Sequence, residues 1–117
     1  MAAPNIVNVA TITGKTAVQA VSTSATAIVT NSAGSGKVFK INALYVANID
    51  GTNAADITVD FYRSTTAYPI ASTIAVPADA SLDVVSKAIY LEEGDAIRCT
   101  ASAAGDLTAV CSYEEIS

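Results

Sequence analysis

Histidine and tryptophan are missing from this chain of 117 residues, and cysteine occurs twice, proline three times and glycine six times. Each scarcity excludes something. With no histidine, and no lysine placed to act as a base, none of the many Ser and Thr hydroxyls has an activator for nucleophilic attack. Two cysteines and no histidine leave a zinc site short of ligands. Lys and Arg number only six against eleven acids, for a net charge of −5 and a pI near 4.3. The six (Lys15, Lys37, Lys40, Arg63, Lys87, Arg98) are scattered, whereas nucleic-acid binding needs them clustered. No apolar run approaches the roughly 18 residues that cross a bilayer as a helix. The Met1–Asn5 start has neither a basic n-region nor an apolar h-region, so no secretory signal is expected. The expectation is a chain that is not an enzyme. It has no catalytic, cofactor-binding or metal residues, and neither nucleic acid nor membrane is its partner.

What is present is small and uncharged. Hydrophobic residues make up 51% and charged ones 15%, against a usual charged share of about 25%. Mean hydropathy is +0.43. Alanine is the commonest residue, and Ser and Thr fill most polar places. Much of the outside is therefore Ala, Ser and Thr. A surface short of charge is expected to be covered, by copies of the chain or by a larger body; the alternative is an Ala-rich monomer. Alanine buries little area, so the isolated domain should be marginal. Thermal stability should then rise with protein concentration as association removes flat faces and sheet edges from water.

Along the chain, period-2 alternation recurs and no helical stripe of useful length appears. Asn5–Thr13, Thr16–Val21 and Ala25–Thr30 read as β segments, and Asn31–Gly36 as a turn cluster. Lys37–Asn48 is the strongest strand, with Phe39, Ile41, Ala43 and Tyr45 on one face, and Val38, Leu44 and Val46 making the other partly apolar, as a strand covered on both faces would be. Asp50-Gly51 signals a hairpin. In Asp56–Arg63, Ile57, Val59 and Phe61 point inward. Ser64–Ala67 turns the chain into Tyr68–Val76, where Pro69 argues for a sheet edge or a strand start. Ser81–Val85, Lys87–Leu91, Asp95–Ala101 and Leu107–Glu115 follow. The fold class is all-β: a single-domain antiparallel β-sandwich over residues 1–117, Ig-like or jelly-roll-like, of about 8–10 short strands with a short N-terminal arm of about five residues. The arm is either frayed or laid on a neighbouring subunit. A hairpin turning near Gly105 would set Cys99 almost opposite Cys111, which makes a disulfide conceivable. Two cysteines without a secretory signal favour buried free thiols.

Several motifs carry less than they first suggest. Ala33–Lys37 ends like a phosphate-binding loop, but Asn31 and Val38 stand where Gly and Ser/Thr are needed, and a strand follows instead of a helix. A flexible hairpin loop fits better. Asn48, Asp50, Asn53 and Asp56 surround a Gly turn without the spacing of a calcium loop. Glu92–Asp95 reads as a strand-to-strand turn whose adjacent carboxylates face opposite ways, so they are not a catalytic pair. Tyr113–Ile116 matches a phosphotyrosine-recognition tetrapeptide but lies in a closing strand.

The segments KVFKINALYVANIDGTNAADITVDFYRS and IYLEEGDAIRCTASAAGDLTAVCSYEEI resemble small virion structural proteins of tailed bacteriophages, of the marine phage and cyanophage type. The resemblance covers roughly residues 37–117. It implies a protein of the virion, present in many copies, without catalysis. It suggests a capsid decoration or cement protein bound at major-capsid-protein junctions, with a trimer as the natural homo-oligomer. A tail, neck or fibre component is the alternative. A receptor- or carbohydrate-binding module is the third, with Tyr45, Tyr62, Tyr68 and Tyr90 as stacking platforms, although the lack of Trp weakens it.

Overall fold

The computed structural model describes residues 10–117, and among these the chain forms nine β-strands and no helix. They are β1 (Ile12–Ala20), β2 (Thr26–Thr30), β3 (Val38–Asn48), β4 (Ala55–Arg63), β5 (Thr66–Val76), β6 (Ser81–Asp83), β7 (Ile89–Leu91), β8 (Ala96–Ala101) and β9 (Leu107–Ile116). Two antiparallel sheets pack face to face. The first, sheet A, runs β1-β9-β3-β6, with β7 pairing β3 beside β6; the second, sheet B, runs β2-β8-β4-β5. The pairs nest: β4 with β5, β3 with β6 and β7, β2 with β8, β1 with β9. This is one long hairpin wrapped around a core, the jelly-roll form of the sandwich. The expected arm and residues 5–9 of the first segment lie outside the described residues. Downstream, β1 runs unbroken through Gly14 and merges two of the segments read from sequence.

The wrapping corrects two expected hairpins. Asp50-Gly51 joins β3 to β4, and the turn at Gly105 joins β8 to β9, but each pair lies in different sheets. Both neighbours of β8 are already filled, by β2 and β4, so the chain after β8 must cross to the other sheet. The same holds for Asn31–Gly36, which arches from β2 to β3. The tight hairpin of the fold is β4–β5, where Arg63 pairs Thr66 across Ser64-Thr65. Both turn residues have positive φ, 51° and 60°, the conformation a two-residue turn needs to match strand twist.

A second correction lies in β3. Its register with β9 shifts between Ile41 and Ala43. The extra residue inverts the alternation, so the core receives Phe39 and Ile41 before the bulge and Leu44 and Val46 after it. Tyr45, expected on the same face as Phe39 and Ile41, points the other way and is 50% exposed. In β4, Ile57 and Val59 are fully buried as expected, and Phe61 packs partly against the core. Pro69 does sit on an edge strand, β5. The core lies between the sheets and is built mainly from Val, Ile, Leu and Ala, with Cys99 from one sheet and Cys111 from the other.

Candidate functional site

The wrapped hairpin brings together three groups of charged residues, each already spent on the fold. At one end, Arg63 closes β4 and Asp95 precedes β8. Asp95 is 2% exposed. Its carboxylate accepts from Arg63 Nε at 2.8 Å, from Arg63 Nη2 at 2.6 Å and from the Glu92 backbone N–H at 2.8 Å. Arg63 Nη2 also donates to Glu92 at 2.7 Å. The Asp95 carboxylate raises the Arg63 pKa further above its usual range. Beside it, the buried Asn31 side chain donates to Lys37 O and Leu91 O at 2.9 and 3.0 Å and accepts from Ser35 Oγ. Glu93 accepts from the Gly36 N–H at 3.0 Å. An open cleft of about 460 Å³ lies over Arg63, Ser64 and Glu92–Asp95. Its cation is held by two carboxylates, so the cleft offers a ligand few uncommitted polar groups. Ala33–Lys37, read as a flexible hairpin loop, is thus part of a crossing arch pinned by the buried Asn31 amide.

On the outer face of sheet B, Arg98 and Asp60 are direct cross-strand partners. Arg98 Nε and Nη2 reach Asp60 at 2.8 and 3.1 Å, and the guanidinium lies 4.0 Å from the Tyr62 ring centroid. On sheet A at the same end, Glu115 accepts from Lys15 at 2.9 Å and Lys37 at 3.0 Å. The hydrogen bond from Lys15, then that from Lys37, holds the Glu115 carboxyl below the usual carboxylate range. In the calcium-like set, Asp50 accepts from the Thr52 and Asn53 backbone N–H groups and the Asn53 amide. Asn48 Nδ2 donates to Asn53 O and Val76 O. These oxygens brace the arch between β3 and β4. Tyr113 packs on Phe39, with ring centroids 5.6 Å apart, and Ile116 is buried.

The outer face of sheet A is different. Leu107, Ala109 and Cys111 of β9 point into the core, so Thr108, Val110 and Ser112 point out. Register places Ala20, Thr108 and Ala47 in one row, Val18, Val110 and Tyr45 in the next, and Thr16, Ser112 and Ala43 in a third. None of these nine side chains carries a charge. The central row is open to solvent, with Val18 76%, Tyr45 50% and Val110 39% exposed. Charge returns only at the rim, with Asp83 beside Tyr45 and the Lys40–Glu114 pair beyond Ser112. The four tyrosines proposed as stacking platforms do not share a surface. Tyr45 and Tyr90 lie on sheet A, Tyr62 lies under Arg98 on sheet B, and Tyr68 lies on the β5 edge.

Both thiols are fully buried and unbonded. Burial, then the neighbouring Cys111 and Asp60, pushes Cys99 up to about 12, and burial pushes Cys111 up to about 11. Only the thiolate reacts, so native protein at pH 8 should resist iodoacetamide. Denaturation without reductant should expose two titratable thiols per chain; a count of zero would show a disulfide instead.

No protein-family model and no curated protein matches the chain. Among solved structures it is similar to a chain from a study titled "Bacillus endospore appendages form a novel family of disulfide-linked pili". The TM-score is 0.53 at 19% identity, over 92% of this chain and 88% of that one. At that identity the likeness concerns the fold, and it agrees with the two-sheet sandwich.

Sequence reasoning anticipated the small uncharged surface but not where it lies, because the face is assembled from strands about 90 residues apart. It also missed Arg63–Asp95 and Arg98–Asp60. Their signal is cross-strand register, which a single chain does not display.

Proposed function

We propose that this chain is a non-enzymatic structural subunit that works by contact within a larger particle. The observation that carries this is the charge-free outer face of sheet A, set on a scaffold in which four of the six basic side chains are held by carboxylates. An uncharged face of mostly small side chains, rimmed by charge, suits burial against another protein surface. The resemblance of residues 37–117 to tailed-phage virion proteins supports a virion as the particle. Within it, capsid decoration over major-capsid-protein junctions suits a small compact subunit present in many copies. The jelly roll recurs in capsid proteins, an analogy of fold alone.

The second reading is a tail, neck, fibre or other appendage subunit. The structural likeness to a chain from bacterial pili favours it. The disulfide linkage named for those pili has no evident counterpart here, since both thiols face the core. Glycan binding is less well supported, because the tyrosines are spread over separate surfaces.

Copy number on purified particles, read by quantitative mass spectrometry and a cryo-EM map, tests the proposal. Hundreds of copies on the head support decoration. Small multiples of six or twelve favour tail or neck. Absence from the particle overturns the virion reading.

A further inference from the structure

Two open sheets leave four margins, and each margin presents unpaired backbone groups that invite another strand. Three of the four carry features that discourage pairing. β6 and β7 are three residues each. β2 spans five residues and breaks register between Ala27 and Val29. β5 is long, but its register with β4 breaks twice, it contains Pro69, and Thr73 has a φ of 47°. β1 has none of these features. It pairs β9 over nine consecutive residues without a shift and contains no proline.

The hydrogen-bond phase shows what this margin offers. Thr11 and Ser117 exchange both backbone bonds, and Val21 N–H donates to Leu107 O. In an antiparallel ladder bonded pairs alternate, so the odd residues of β1 bond to β9. Ile12, Gly14, Thr16, Val18 and Ala20 therefore turn N–H and C=O outward, and the side chains of Thr16, Val18 and Ala20 lie on the charge-free face. Among the described residues no strand pairs this side. The Gln19 side chain reaches Ala27 O, but from an odd position that takes none of these groups.

We propose that the β1 margin pairs with β1 of a second copy, antiparallel and two-fold symmetric about Thr16. This inference rests on the chain being an assembling subunit. Two considerations select a second copy as the occupant. Copies carry a net charge of −5 each, and β1 is a margin without a carboxylate on which acidic copies can meet. Its one charge, Lys15, is held at 2.9 Å by its own Glu115. The register is also self-complementary. Centring on Thr16 sets Ile12 against Ala20 of the other copy, Gly14 against Val18, and Thr16 against Thr16. All five outward residues then fall in bonded pairs at once. Gly14 has nothing within 4 Å of where a Cβ would stand, so the opposing Val18 finds room. The two A sheets become one continuous sheet, and the two uncharged faces become one larger face.

Sedimentation velocity of the full chain over a range of concentrations tests this. Wild type is expected at twice the subunit mass. Thr16→Lys and Thr16→Glu place like charges directly opposite at the two-fold axis, and each is expected to halve the mass. Mixing the two variants is expected to restore the dimer. Thr16 is exposed, so a cooperative melt near that of wild type at its lowest concentration should show that both variants fold. A monomeric wild type overturns the pairing. So does a dimer or trimer indifferent to both charges, and mixing without rescue overturns the register. None of these results bears on copy number in particles. A Thr16-dependent dimer absent from particles would instead sink the virion reading alone.

Discussion

Leu44→Ala is expected to lower the unfolding free energy by about 3–4 kcal/mol, and the melting temperature by roughly 12 °C. Tyr45→Ala, one residue on, should change stability by less than about 1 kcal/mol. Leu44 is fully buried between the sheets, and its removal leaves a cavity as well as losing transfer energy. Tyr45 stands half-exposed on the charge-free face. Denaturant melts of both variants decide the matter at low concentration, where any association through that face is weak. Equal losses, or a larger loss at Tyr45, would mean that the β3 bulge is misplaced.

That pair also marks a limit on what was legible. The strand Lys37–Asn48 stood out from its β-branched and aromatic content, and its first half faces as alternation predicts. After Asn42 every side chain changes sides, because one extra residue shifts the period. Val46 and Leu44 looked like a second apolar face, when they belong to the same core as Phe39 and Ile41. No residue in that stretch signals a bulge; the demand comes from pairing with β9, some seventy residues away.

Asn31→Ala should cost about 3 kcal/mol, and Asn31→Asp at least as much at neutral pH. The amide donates to two carbonyl oxygens inside the protein. Alanine leaves both without a partner. Aspartate puts a carboxylate oxygen against them and buries a charge. The aspartate variant should recover in acid, and the sign follows from linkage. The folded state would raise this carboxyl above its unfolded value of about 4. Stability is then retained below that value and lost as pH rises through the folded one. Urea melts of N31D and wild type at pH 4 and pH 8 check this, and a gap between them that does not narrow in acid would refute it. In sequence, Asn31 looked like one more turn residue in a Ser- and Gly-rich stretch. Its part comes from Leu91, which only the wrapped topology brings near.

Turn chemistry misled in an instructive way. Asp50-Gly51 and Gly105 have good hairpin composition but serve crossings between sheets. The tight hairpin uses Ser64-Thr65, which composition ranks below them. Local preference says where the chain turns. Which strand comes next beside it depends on which sheet positions are still open, and that is a property of the whole fold. The all-β class, the edge position of Pro69 and the inward face of β4 followed from short-range pattern. The ion pairs and the uncharged face did not, because each joins residues distant in the chain.

The position of β9 has a consequence for how such a chain is made. Of the nine strands, the last to leave the ribosome is the one that stands between β1 and β3. Until residues 107–116 emerge, the first and third strands have no common neighbour, and half of the core has no second wall. Folding should therefore be slow, dominated by long-range closure, and completed only once β9 has emerged. A chain stopped short of β9 could not present the Val18–Val110–Tyr45 row, so prematurely terminated products would be excluded from any assembly built on that face.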